Sequence, residues 1–305
     1  MSFKKHIVGV IGLGHVGAHV AFNLGVLGIA DEVKLCDVNH DKLVSERQDF
    51  MDAVMFMPHR VNYTIASYGE LADCDVIVNA IGDIKLCASG NRDDEMHFTV
   101  PQVADYIPKV MAGGFKGIII NISNPCDAVT TILQQTTGLP KNRVFGTGTF
   151  LDTARMQRAV GDELGQDPRN VDGFVLGEHG NSQFVAWSTV SVDHKPAVDL
   201  FDEETRKTLN QRTKDNAFKV AFGKGFTSYA VATCGVRLVQ AVFSDAHLFA
   251  PTSVYVPSVE TYIGYPSIIG ANGVEKVVPL KINDEEQKLF EESANYIKKH
   301  VADLA

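Results

Sequence analysis

The run Gly9-Val-Ile-Gly-Leu-Gly-His-Val-Gly17 constrains the fold more than any other part of the sequence. It sets Gly12, Gly14 and Gly17 in Gly-x-Gly-x-x-Gly spacing, after the apolar stretch His6–Ile11 and before a helical pattern over Gly17–Leu27. In a strand–turn–helix unit the first glycine permits a tight turn. The second lets a pyrophosphate approach the backbone, and the third lets helix and strand pack closely. The helix N-terminus then offers N–H groups and a positive dipole end to the phosphates. A glycine triplet alone can also be an ordinary turn. Asp37 narrows the choice, because it ends the next candidate strand, Val33–Asp37. A carboxylate there accepts hydrogen bonds from the adenosine ribose and repels a 2′-phosphate, so the expected cofactor is NAD rather than NADP.

Further strand candidates follow at Asn62–Ala66, Asp75–Ala80, Gly117–Ile122 and Arg143–Gly146, with helical patterns at Lys42–Ala53 and Val100–Ala112. Val76-Ile77-Val78 and Ile118-Ile119-Ile120 are apolar without alternation, as strands covered on both faces require. The expected fold class is α/β, a doubly wound parallel (Rossmann) sheet, followed by a mixed α+β domain. The expected domains are 1–145 for dinucleotide binding and 146–305 for substrate. In the second, helices are expected at Leu151–Leu164, Glu203–Phe222, Gly225–Phe243 and Asp284–Ala302, the last burying Leu289, Ile297 and Val301. Strands are expected at Val171–Leu176 and Phe184–Val192, with short ones near Ser253–Tyr265 and Val277–Leu280. Trp187 reads as domain core.

Composition removes several alternatives. A net charge of −9, with no basic run longer than two residues, argues against a nucleic-acid partner. No apolar stretch approaches the roughly 20 residues of a membrane span. The cysteines, Cys36, Cys74, Cys87, Cys126 and Cys234, are odd in number and lack Cys-x-x-Cys spacing. They read as reduced thiols, and the expected location is cytoplasmic. No metal site is expected.

Three short motifs carry candidate chemistry. Ser123-Asn124-Pro125 follows a strand and falls at the carboxyl end of the sheet, where ligands bind in such folds. In Leu151-Asp152-Thr-Ala-Arg155 the acid and the base are i and i+3 on one helix face, which by itself describes an exposed ion pair. In Gly177-Glu-His179-Gly-Asn181 a histidine stands between glycines on a loop, a setting suited to acid–base work.

Together these motifs resemble the L-lactate/malate dehydrogenase superfamily over essentially the whole chain, with Gly225-Phe-Thr-Ser228 as a further match. Within it the chain is most similar to the bacterial L-2-hydroxyisocaproate dehydrogenases. That likeness rests on Asp152–Gly161, Gly177–Ser188 and Gly223–Tyr229. The resemblance implies an NAD-dependent oxidoreductase that interconverts 2-oxo and L-2-hydroxy acids. His179 would pass a proton to or from the 2-oxo oxygen, and Asp152 would fix its tautomer. Arg155 would grip the substrate carboxylate through two parallel N–H···O bonds, a geometry lysine cannot copy. Asn124 would bond the nicotinamide ribose and a substrate oxygen. Arg92, on the loop that begins at Gly82, would stabilise charge developing at the carbonyl.

The family sets substrate choice largely on that loop, where this chain offers Leu86, Cys87 and Ala88. A distal carboxylate would stay unpaired beside such residues, so a small monocarboxylic acid with a medium or branched aliphatic side chain is expected. Thr227 would line the pocket. Positions that bind fructose 1,6-bisphosphate in many bacterial lactate dehydrogenases hold Gln157 and Thr189, so no such activation is expected. The long N-terminal arm of the vertebrate enzymes is not expected, and a homodimer or homotetramer is. Competing readings are a plain L-lactate dehydrogenase acting on pyruvate, an NAD- and metal-dependent glycosidase, and an NAD-sensing binding module. Of the other histidines, His15 is expected to face solvent or phosphate, and His194, His247 and His300 to lie on the surface.

Overall fold

The computed structural model describes residues 4–83, 86 and 92–303. Its first half is the expected parallel sheet, formed by β1 (Ile7–Ile11), β2 (Glu32–Cys36), β3 (Asn62–Ile65), β4 (Val76–Asn79), β5 (Ile118–Asn121) and β6 (Val144–Gly146). The spatial order β6-β5-β4-β1-β2-β3 reverses direction between β1 and β4, which opens a crevice at the carboxyl ends of those two strands. Every residue of β4 and β5 is buried, as their unbroken apolar pattern requires. Helices α1 (His15–Val26) and α2 (His40–Ala53) cover one face, and α3 (Arg92–Ala112) and α4 (Cys126–Thr137) cover the other.

The second half begins with α5 (Phe150–Leu164). It packs on an antiparallel sheet of β7 (Val171–Leu176), β8 (Phe184–Val192) and β9 (Lys195–Pro196). Trp187 is half-buried against this cluster, edge-on to Phe201. Helices α6 (Glu203–Lys224) and α7 (Tyr229–Phe243) meet at 116° across residues 225–228. Gly225 ends α6 with φ +83°, a left-handed conformation that glycine adopts without strain. The helix expected from Gly225 therefore starts four residues later. No single helix among the described residues is long and apolar enough to cross a membrane.

Three further expectations are corrected. The segment around Ser253–Tyr265 is one long hairpin, β10 (Leu248–Val256) and β11 (Thr261–Gly270), followed by β12 (Gly273–Val277). It joins the parallel sheet through Ser253 opposite Gly146, making nine strands in all. Helix α3 starts at Arg92 rather than Val100 and runs through Pro101 and Pro108, because Met96, Val103, Tyr106, Ile107 and Val110 are buried along it. The closing helix α8 (Asp284–Ala302) buries Phe290, Ala294 and Ile297, with Val301 half-buried beside them. Leu289 is exposed instead, so the buried face is turned by one residue.

Candidate active site

Most of the sequence motifs converge on the crevice between β1 and β4. A cleft of about 350 Å³ is lined there by Gly14, His15, Lys42, Asn124, Arg155, His179 and Thr227, among others. One wall is the glycine turn. Gly12 has φ +90°, and a Cβ on it would fall 2.7 Å from the Ala80 carbonyl oxygen. A Cβ on Gly17 would fall 1.8 Å from the Gly12 carbonyl oxygen, so α1 can approach β1 this closely only with glycine there. A Cβ on Gly14 would meet nothing within 4 Å. The backbone there borders open space at the start of α1, the shape and polarity a pyrophosphate needs.

Asp37 stands at the end of β2, as expected, but has a second task. Its Oδ2 accepts the Leu13 N–H at 2.6 Å and its Oδ1 accepts the Asn39 N–H at 2.8 Å. The carboxylate thus braces the glycine turn while each oxygen keeps a further lone pair for a ribose hydroxyl. Asp37 is not among the residues lining the cleft. His15, inside the turn, is exposed as expected and lines the cleft, and its ring stacks on Phe226 with centroids 3.7 Å apart, which ties the turn to the α6–α7 junction.

The chemical wall centres on Asp152, which is buried in the first turn of α5. Its Oδ2 lies 2.6 Å from His179 Nδ1, and its Oδ1 accepts from Arg155 Nη1 at 2.8 Å. The Gln183 amide, oriented to donate, adds a bond of 2.9 Å to Oδ2. Burial pushes the Asp152 carboxyl up, but the charges and hydrogen bonds of His179 and Arg155 outweigh it and hold it at about 2. An ionised Asp152 makes His179 Nδ1 the donor and leaves Nε2 as the remaining nitrogen. An exposed Asp152–Arg155 pair is thereby excluded: the pair is buried and shared with a histidine.

A second carboxylate, which the sequence reading missed, holds the same loop. Asp127, buried in the first turn of α4, accepts the backbone N–H of His179 at 2.8 Å and the hydroxyl of Ser253. Burial pushes its carboxyl up to about 6, against the opposing pull of Ser253 and the His179 N–H. The imidazole is thus fixed at its ring by α5 and at its backbone by α4.

Asn124 and Thr227 line both this cleft and a cavity of about 330 Å³ that continues past His179 toward α6. Arg92 is the first residue of α3; its side chain lies outside the described residues, as do Cys87 and Ala88, while Leu86 is half-buried. Four cysteines, Cys36, Cys74, Cys126 and Cys234, are free thiols. Among the described residues one group has metal-ligand spacing, Asp245, His247 and Glu275; all three are exposed and none lines the cleft. His194 is exposed as expected, whereas His300 is half-buried with its ring on the Tyr296 carbonyl.

Two family models match this chain. Residues 6–146 match the NAD-binding domain of lactate/malate dehydrogenase, and residues 149–305 match the alpha/beta C-terminal domain of the same family. L-lactate dehydrogenase 1 of Bifidobacterium longum is 33% identical, with 100% of this chain and 99% of the relative covered. L-lactate dehydrogenase of Fusobacterium nucleatum is 32% identical, with 96% and 95% covered. Among solved structures, the minor L-lactate dehydrogenase of Enterococcus mundtii in its ligands-bound form superposes with a TM-score of 0.91 at 30% identity, over 99% of each chain.

Proposed function

Because the chain belongs to the lactate/malate dehydrogenase family, we propose that it is an NAD-dependent dehydrogenase reducing 2-oxo monocarboxylic acids to L-2-hydroxy acids, and the reverse. The observation that carries this is Asp152 bonded at once to His179 Nδ1 and Arg155 Nη1 beside the glycine cleft. When bound, the reduced nicotinamide supplies a hydride to C2 of the substrate. The chain's own residues do the rest. His179, protonated, donates from Nε2 to the carbonyl oxygen as negative charge builds there, a contribution typically worth about 10²–10⁴ in rate. The fixed negative charge of Asp152 stabilises the imidazolium before transfer. Arg155 engages Asp152 with one Nη and keeps guanidinium donors for the substrate carboxylate. Asn124 serves both substrate and ribose, and Arg92 the developing oxyanion. Gly12, Gly14, Gly17 and Asp37 hold the dinucleotide. The division near residue 145 separates the cofactor half from the half bearing Asp152, Arg155 and His179.

The substrate we favour carries a medium or branched aliphatic chain, like 2-oxoisocaproate. The Ala217, Phe218 and Ala221 lining of the inner cavity supports this, since each buried CH₂ contributes about 0.8 kcal/mol. The names of the relatives favour a second reading, an enzyme acting mainly on pyruvate. Steady-state rates with NADH decide between them. We expect kcat/KM for 2-oxoisocaproate to exceed that for pyruvate by about tenfold or more. A reversed order selects the lactate reading, and no turnover with either acid rejects both. No activation by fructose 1,6-bisphosphate is expected. Gln157 is bonded to the Val171 carbonyl, and Thr189 to the Ala186 carbonyl and the Phe174 N–H, in place of anion-binding side chains.

A further inference from the structure

Asp152 carries more donors than the orienting of one imidazole requires. It is 1% exposed, and three groups reach its two oxygens. Oδ2 takes His179 Nδ1 at 2.6 Å and the Gln183 amide nitrogen at 2.9 Å. Oδ1 takes Arg155 Nη1 at 2.8 Å and the same amide nitrogen at 3.3 Å. An ionised carboxylate offers about four lone-pair directions, so this set fills it. The amide has to present its NH₂ here, because its oxygen would set lone pairs against those of Asp152 at the same distance. Gln183 is itself buried, in the residue before β8, and lines the inner cavity on the same wall as His179.

Reversible reduction sets two demands on Asp152. It has to stabilise the imidazolium enough to keep a proton on Nε2 before the hydride arrives. It also has to leave that proton acidic enough to pass to the substrate oxygen. Donors that share one oxygen compete, since each draws on the same negative charge and weakens the bond of the other. We propose that Gln183 is a positioning residue that shares Asp152 Oδ2 with His179 and so limits the hold of Asp152 on the imidazolium. The inference rests on the reading of this site as a 2-oxo acid reductase and adds a residue to its proton transfer. Arg155 acts on the other oxygen. Among the described residues, the remaining charged groups around the ring are Glu178 in its loop, Asp127 of α4 at its backbone N–H, and Glu95 of α3 and Lys214 of α6 on the cavity wall. The Cys234 thiol of α7, pushed up to about 12 by burial, stays neutral beside Asp152. All of these are the same with or without the amide. Gln183 is uncharged, so its effect on the imidazolium passes through Asp152.

The test measures kcat/KM for reduction against pH in the wild type, Q183M and Q183L. The substrate is whichever of 2-oxoisocaproate and pyruvate the wild type reduces faster. Both variants put an apolar side chain of similar volume in place of the amide and remove the N–H donor. NADH fluorescence titration reports whether each variant has formed the cleft. Rates should fall as pH rises and His179 loses its proton. In both variants this fall should come at higher pH than in the wild type, by about half to one unit. A merely structural role would lower the rates at every pH and leave the midpoint in place. An unmoved midpoint, or one moved down, in variants that bind NADH overturns the inference alone. Loss of NADH binding in both variants would make Gln183 a residue of the fold and overturns it as well. A wild type that binds NADH but reduces neither acid overturns the reaction class and the inference with it.

Discussion

At the scale of single residues, two buried carboxylates hold one histidine and titrate in opposite senses. Asp152 is depressed to about 2 from an ordinary 3.8. Its contribution to stability is present above about pH 4 and is lost as pH falls through about 2. Asp127 is raised to about 6 by burial, so the folded chain binds its proton more tightly than the unfolded chain does. Its contribution is therefore fully present below about pH 4 and is lost as pH rises through about 6. Asp127→Asn keeps an oxygen for the His179 N–H and deletes the titration. Between pH 4 and pH 7 the stability of this variant relative to wild type should improve by about 1–3 kcal/mol. Urea unfolding at several pH values measures this, and a difference that stays flat with pH would contradict it. Of these residues, His179 stood out in the sequence by its glycine-flanked loop, whereas the spacing of Asp152 and Arg155 described an exposed ion pair and only the family resemblance joined the three. Asp127 did not stand out. An acid in the first turn of a helix has an ordinary electrostatic reason to be there, and only the fold brings the His179 N–H to it.

At the scale of elements, the first βα unit makes a prediction that separates folding from binding. The Cβ of Gly17→Ala would lie 1.8 Å from the Gly12 carbonyl oxygen, a backbone atom that cannot swing aside. That substitution should cost about 2 kcal/mol or more and lower Tm. Gly14→Ala meets nothing within 4 Å, so its Tm should stay close to wild type while the new methyl enters the space left for phosphate. Its NADH affinity should fall about tenfold or more. Thermal melts and fluorescence titration of the pair check both halves, and equal Tm losses would contradict the assignment. The parallel strands were read to within a residue or so because full burial leaves a continuous apolar signature. The errors fell where local rules compete with packing. Pro101 marks a plausible helix start, yet the buried side chains on both sides of it keep α3 continuous. The two long strands of the β10–β11 hairpin are largely buried and so lack clear alternation, which hid their length. In α8, Leu289 looks like core but sits one position off the packed face.

At the scale of the whole molecule, the surface retains large apolar residues, three of the most exposed among them on or beside helices. Met55 and Phe56 follow α2 at 83% and 92% exposure, and Phe222, near the end of α6, is 77% exposed. We propose that a second copy of the chain covers them, in a homodimer or homotetramer. Light scattering should give two or four times the 33.2 kDa chain mass, and M55D/F56D should shift it downward. A wild-type particle of one chain mass would overturn the proposal. The nine-stranded sheet runs through both halves, joined where Ser253 meets Gly146, and the same serine bonds to Asp127. Asn124 and Asp127 therefore come from before that seam, and Asp152, Arg155 and His179 from after it. During synthesis the glycine turn emerges from the ribosome first, while Asp152, Arg155 and His179 follow. A half-made chain has the glycine turn but not His179, and the strands β10, β11 and β12 that complete the sheet come later still, in the last third of the polypeptide.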